Sequence, residues 1–186
     1  MPAPFPPPQQ ALLDHVRRHA RERGDQIYLT QPLGAAGGGR CEDYSWSRSW
    51  DEAARMAAHL QGLGLPRGAR VAILSKNCAH FILAELAIWM GGYTTVAIFP
   101  TETAETVRFV LEHSEASAIF VGKLDTWPAQ APGVPAGLPR IRFPLAPDTA
   151  DLRGLPDWDA IVAKTPALDP VASRAGDELA MLIYTS

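Results

Sequence analysis

The chain has 186 residues, of which 47% are hydrophobic and 20% charged, with 17 Lys and Arg against 20 Asp and Glu for a formal net charge of -3. That is enough apolar material for one sizeable core, which excludes disorder throughout; the absence of any Lys/Arg run excludes an electrostatic footprint for nucleic acid. Cys41 and Cys78 have no metal-type spacing, so neither a disulfide framework nor a zinc knuckle is expected, and a reducing, cytoplasmic setting fits.

Residues 1–10, opening Met1-Pro2-Ala3-Pro4-Phe5-Pro6, have no basic flank and no apolar run, and read as a flexible, partly polyproline lead-in rather than a signal or transit peptide. A single domain is expected over residues 11–186. Leu12, Val16 and Ala20 recur at helical spacing from Ala11 to Arg23, with Gly24 as a stop. Gln26 to Thr30 and Tyr44 to Ser47 read as short strands joined by the glycine-rich stretch Gly34 to Gly39. That stretch lacks the G-x-G-x-x-G order and opens no helix, so it reads as a hairpin connection.

Ser49-Trp50-Asp51-Glu52 has the form of a capping box, with a helix after it whose inner stripe is Ala53, Met56, Ala57 and Leu60 and whose end is marked by Gly62, Gly64 and Pro66. From Arg70 the pattern alternates. Val71 to Leu74, Thr95 to Ile98 and Ala118 to Val121 are short apolar strands, separated by helices at Cys78 to Met90 and Thr103 to Ser114. Strands alternating with helices through short connections predict an α/β fold: a parallel sheet flanked by helices on both faces. The most apolar stretch, Phe81 to Met90, is interrupted by Glu85 and is about half the roughly 20 residues that a bilayer requires, so it reads as a buried helix.

After Lys123 there are nine prolines from Pro128 to Pro170 and little periodicity. Arg140 to Phe143 reads as a strand, Trp158 to Lys164 as a short helix, and the rest as surface excursion. Leu179 to Ile183 then reads as a buried strand running into Tyr184-Thr185-Ser186. A strand that leads into small hydroxyl residues is how many phosphate-gripping loops begin, because the loop leaves the sheet with free N–H groups and hydroxyls aimed at an anion. The plain alternative is a strand that happens to end in Ser, since the glycines of such a loop do not follow.

Few other residues suggest chemistry. His15 and His19 are four apart on a helix, but they lie among arginines without an acidic partner and read as a solvated face. His59, His80 and His113 are isolated core or surface histidines, and Cys78 reads as a small buried residue rather than an activated thiol. No catalytic residue and no metal ligand is assigned. The run Gly91 to Thr103 places a helix stop, a buried strand, a proline break and a new helix at the C-terminal edge of a parallel strand, where α/β sheets bind ligands.

Three blocks resemble the N-terminal part of the adenylate-forming superfamily, which includes acyl-CoA synthetases, firefly-luciferase-like enzymes and peptide-synthetase adenylation domains. Tyr44 to Leu60 resembles the early "L-T-Y-x-E-L…A…L" block. Trp89 to Val121 resembles "A-G-x-x-x-V-P-L-x-P-T…E…I-x-Y-I-L-x-x-S-x-A…L-F-V", and Ile183 to Ser186 resembles the opening of "Y-T-S-G-T-T-G-x-P-K-G". Phe99-Pro100-Thr101 with Leu111 to Ala116 is most similar to bacterial long-chain fatty acyl-CoA synthetases, although Ala97 stands where the family commonly has proline.

The resemblance implies a partial N-terminal domain of the acyl-CoA synthetase fold, not catalytic by itself. It implies ATP, Mg²⁺ and coenzyme A with a fatty acid as substrates and cofactors of the whole enzyme, peripheral contact with the inner face of a membrane, and an ATP-phosphate role for Thr185 and Ser186. Two further readings stay open: a ligase for an aryl or medium-chain acid, and a non-catalytic α/β binding module.

Overall fold

A computed structural model describes residues 12–34 and 39–185. The lead-in, residues 35–38 of the glycine-rich stretch and Ser186 lie outside the described residues. The elements in chain order are α1 (Leu12–Glu22), β1 (Ile27–Pro32), β2 (Cys41–Ser45), α2 (Trp46–Gly62), β3 (Arg70–Leu74), α3 (Ala79–Met90), β4 (Thr94–Ile98), α4 (Ala104–His113), β5 (Ala116–Val121), α5 (Trp127–Gln130), β6 (Arg140–Arg142), α6 (Trp158–Lys164) and β7 (Met181–Ile183). β1 and β2 form an antiparallel hairpin. The other five strands form one parallel sheet in the order β6-β5-β3-β4-β7.

β3 lies at the centre, and Val71, Ala72, Ile73 and Leu74 have no exposed surface. Strand side chains alternate between faces, so one face of β3 needs a different cover from the other. Val71 and Ile73 join a core with Ala53, Met56, Ala57 and Leu60 of α2 and Leu83 and Ala87 of α3. Ala72 and Leu74 join a second core with Val107, Val110 and Leu111 of α4, together with Trp127 and Leu152. Eight of the twelve residues of α3 are buried, which makes it a core helix enclosed between the sheet and α2 rather than a surface helix.

Three expectations need correction. The capping residue of α2 is Ser45, not Ser49: the Ser45 hydroxyl accepts from Arg48 N at 3.2 Å and the helix begins one turn early. Trp46 stacks on Tyr28 with ring centroids 3.9 Å apart, and the Ser47 hydroxyl donates to the Gly24 carbonyl at 2.8 Å, so packing against β1 and the preceding loop holds that extra turn. Ser49 is buried inside the helix, and Glu52 accepts from Arg48 Nε at 2.6 Å and Trp158 Nε1 at 3.1 Å. Because Trp46 and Ser47 belong to the helix, β2 ends at Ser45.

Second, the stretches on either side of the expected strand, residues 124–139 and 144–157, are not a surface excursion, since Leu124, Trp127, Val134 and Leu152 are buried there. The strand expected from Arg140 and the helix expected over Trp158 to Lys164 are both present. Trp127, Phe143, Leu152 and Trp158 are completely buried. Proline-rich chain bends too often to show periodicity, yet its aromatic residues still reach both cores; truncating one such ring to alanine costs about 3–5 kcal/mol. Third, β7 is an edge strand among the described residues, and Ile183 is 60% exposed.

What holds β7 in register is side-chain hydrogen bonding to its approach. Trp89 Nε1 donates to Ala180 O and Thr94 Oγ1 to Leu179 O, each at 2.9 Å. Arg174 donates to the carbonyls of Trp89 and Tyr93 and pairs with Glu178 at 2.8 Å.

Two titratable groups sit where a charge is costly. His80 is 3% exposed and neither ring nitrogen has a protein partner; Tyr44, Phe143 and Trp158 surround it, and burial holds its pKa down at about 4. Glu85, on the same helix, is pushed up to about 7 by burial. The unfolded chain takes up the His80 proton near pH 6.5, so stability is full above that and falls as pH drops toward 4, by about 3 kcal/mol in all.

Glu85 acts in the opposite sense, its contribution being lost as pH rises from 4.5 through about 7. Between pH 4.5 and 6.5 the two contributions oppose one another, so urea unfolding of His80→Phe is expected to show stability falling as pH rises through that window, where the parent changes less. Glu85→Gln is expected to be more stable than the parent at pH 8 and no more stable at pH 4. Parallel pH profiles for parent and variants would contradict both assignments.

Candidate functional site at the carboxyl edge of the sheet

The crossover β3-α3-β4 steps to one side of β3, and β4-α4-β5 returns across it, so strand order reverses between β3 and β5. Open α/β sheets usually bind ligands in the crevice outside such a reversal. Here it is filled. Ser75 Oγ accepts from Lys123 N at 3.0 Å and donates to Lys76 O at 2.7 Å, Lys76 N donates to Lys123 O at 2.8 Å, and Lys76 pairs with Asp125. Gly122 makes this closure possible, because a Cβ there would lie 2.3 Å from Ser75 Oγ.

The open part of the carboxyl edge is at β4 and β7. Ala97 pairs with Ile183 in parallel register, so the chain segments that carry on to Phe99 and to Thr185 leave neighbouring strands at the same edge. Phe99 is 52% exposed, and Thr101 and Thr185 are exposed as well. The expected ligand loop after β4 and the described part of the expected phosphate segment thus lie side by side. Ser186 is outside the described residues.

The loop after β4 is fixed from behind. Gln130, 1% exposed, donates from Nε2 to Pro100 O at 2.9 Å and to Glu102 O at 3.0 Å. Thr103 caps α4 by accepting from Thr106 N at 3.2 Å. Gly133 lets the α5 segment approach α4 so closely that a Cβ would fall 2.2 Å from Ala104 O. Sequence reasoning missed Gln130, since a glutamine in proline-rich chain carries no periodic signal; the only local hint is Trp127-Pro128, with proline in the first turn of a helix.

The remaining candidates lie elsewhere. Cys78 is the half-buried N-cap of α3 but makes no side-chain cap bond, and Gln31 Oε1 of β1 instead accepts from Ala79 N at 2.9 Å. His15 and His19 do not form a purely solvated face: His15 Nδ1 lies 3.0 Å from Arg18, whereas the His19 ring packs 4.9 Å from Trp46. Among the described residues no group of three or more His, Cys, Asp or Glu is gathered to hold a metal. The described residues therefore do not furnish a protein ligand set for Mg²⁺. No helix among them is long and apolar enough to cross a membrane.

This arrangement has relatives. The chain is 26% identical over its whole length to the long-chain-fatty-acid–CoA ligase FadD15 of Mycobacterium bovis, covering 31% of that protein. It is 23% identical over 163 residues to the long-chain-fatty-acid–CoA ligase ACSBG2 of Rattus norvegicus, a match that takes in 83% of this chain and 24% of the rat protein. The chain thus spans about a quarter to a third of the length of these curated relatives. The crystal structure of the anthranilate CoA ligase AuaEII in complex with anthranoyl-AMP superposes over 94% of this chain and 32% of its own with a TM-score of 0.77 at 18% identity, a likeness of fold. The family model for the AMP-binding enzyme matches residues 16–186, and the chain belongs to that family.

Proposed function

We propose that residues 11–186 are the N-terminal part of an AMP-binding domain in a long-chain fatty acid–CoA ligase. The observation that carries this reading is that the β4 loop and Thr185 leave neighbouring parallel strands at the sheet's carboxyl edge with Phe99, Thr101 and Thr185 exposed, in a chain of this family. The named relatives favour a long-chain acid.

A carboxylate is a poor electrophile, because its charge repels a thiolate and oxide is a poor leaving group. Adenylation removes both obstacles. A carboxylate oxygen attacks the α-phosphorus of ATP, the bond to the bridging oxygen breaks, and pyrophosphate leaves with that electron pair. The thiol sulfur of coenzyme A, having lost its proton, then attacks the acyl carbon and AMP departs to leave the thioester.

The part of this chain in that sequence is binding. The exposed Thr185 hydroxyl can donate to a phosphate oxygen, Ser186 follows in sequence with a second hydroxyl, and the loop held by Gln130 forms the neighbouring wall. Charge building on the departing pyrophosphate is best met by donors fixed in place beforehand. No general acid, base or nucleophile is assigned within the chain, so residues 1–186 alone are not expected to catalyse. A long-chain acid partitions into bilayers, and the proposal includes its uptake at the inner face of a membrane.

The decisive assay is acid-dependent exchange of labelled pyrophosphate into ATP by the gene product at its native length, with acids from acetate to oleate and with anthranilate. Exchange greatest with C14 to C18 acids supports the reading; exchange greatest with anthranilate favours an aryl acid, and no exchange with any acid overturns it. Thr185→Val is expected to raise the KM for ATP about tenfold, the loss of one hydrogen bond to a charged group, with the KM for the acid unchanged. An unaltered ATP KM in that variant would remove Thr185 from the site.

A further inference from the structure

Tyr184 immediately precedes Thr185 and is gripped by α4. Its ring stands edge-on to Phe109, with centroids 6.3 Å apart at 87°, and to His113, 5.7 Å apart at 86°. Phe109 and His113 stack on each other at 5.3 Å. The Tyr184 hydroxyl lies 2.8 Å from His113 Nδ1, within hydrogen-bond distance. Phe109 is 55% exposed, so the group is a surface clamp rather than an extension of the core.

Three features make this clamp more than packing. β7 is three residues long and pairs with β4 on one side only among the described residues, so its ladder offers little resistance to a change in how the chain leaves the sheet. Leu182 and Tyr184 face the α4 side, whereas Ile183 on the other face is largely exposed, leaving Tyr184 as the last side chain with a firm hold before Thr185. The same helix carries the opposite wall, because its N-cap Thr103 ends the loop that Gln130 braces. One element thus sets both sides of the open edge.

We propose that the His113–Tyr184 contact is a positioning device for ATP phosphates: α4 holds Tyr184 so that the backbone leaving β7 presents Thr185 at a fixed angle. The proposal rests on the ligase reading above. Neither residue touches the nucleotide, and both act through Thr185. Small misplacements of a binding group cost far more in rate than in stability, which is why a single hydrogen bond at this point matters.

The test uses the gene product at its native length and separates the two half-reactions. Tyr184→Phe keeps the ring against Phe109 and removes the hydroxyl; His113→Leu removes the nitrogen. Each is expected to raise the KM for ATP in pyrophosphate exchange about 5–10-fold, the worth of one hydrogen bond. The double variant is expected to be no worse than either single variant, because the two residues make one contact. Conversion of separately supplied acyl-AMP and coenzyme A to thioester should stay within about twofold of the parent, since that step does not use the ATP phosphates.

His113→Asn, which retains a polar group that can reach the hydroxyl, should recover part of the ATP KM. An unchanged ATP KM in folded variants overturns the proposal, as does additivity in the double variant. A parallel fall in both half-reactions with a lowered melting temperature also overturns it, because that marks a structural role. If the parent shows no acid-dependent exchange, the ligase reading itself falls and this inference with it, a result distinct from loss in the variants alone.

Discussion

Complete burial of β3 on both faces is the constraint from which the rest of the fold follows. A five-residue strand with Val71 and Ile73 on one side and Ala72 and Leu74 on the other cannot be covered by one layer. Helices must pass over each face, and parallel neighbours joined by crossover helices supply them. All five strands then point the same way, and their carboxyl ends share one edge of the sheet. That the proposed site lies at that edge follows from how β3 is buried.

The edge is not uniform. Between β3 and β5, where strand order reverses, Ser75, Gly122 and the Lys76–Asp125 pair close the crevice with backbone and side-chain bonds. At β4 and β7 the loop after β4 is anchored by Gln130, and Phe99, Thr101 and Thr185 are exposed. Local chemistry sets the difference: a serine hydroxyl fitting against a glycine fills one crevice, and a buried glutamine keeps the other loop in place. Buried His80 and Glu85 lie on α3, and both trace to the near-complete enclosure of that helix.

Much of this was legible from the residues. The strand-helix alternation from Arg70 to Val121 is strongly periodic, and the bounds of α6 follow directly from Trp158 and Lys164. Legibility failed where tertiary contacts override a local pattern. Ser49-x-x-Glu52 satisfies the capping-box pattern, but the stacking of Trp46 on Tyr28 adds a turn that no local rule contains. The segment from Leu124 to Trp158 hides its burial because prolines break every period. At the proposed site, Thr185 could be nominated from sequence because the hydroxyl pattern is local, whereas Gln130 and the His113–Tyr184 contact join residues 28 to 71 positions apart and leave no mark on a single sequence.

The central claim is that nucleotide phosphates meet the sheet at β4 and β7. Amide hydrogen exchange on the gene product at its native length, with and without a non-hydrolysable acyl-adenylate analogue and pyrophosphate, tests it most directly. The account predicts slower exchange in peptides covering residues 99–103 and 181–186, with no change at 75–78 or 122–125. Protection at 75–78 and 122–125, with none along β4 and β7, would contradict it and return the site to the crevice that the structure shows closed.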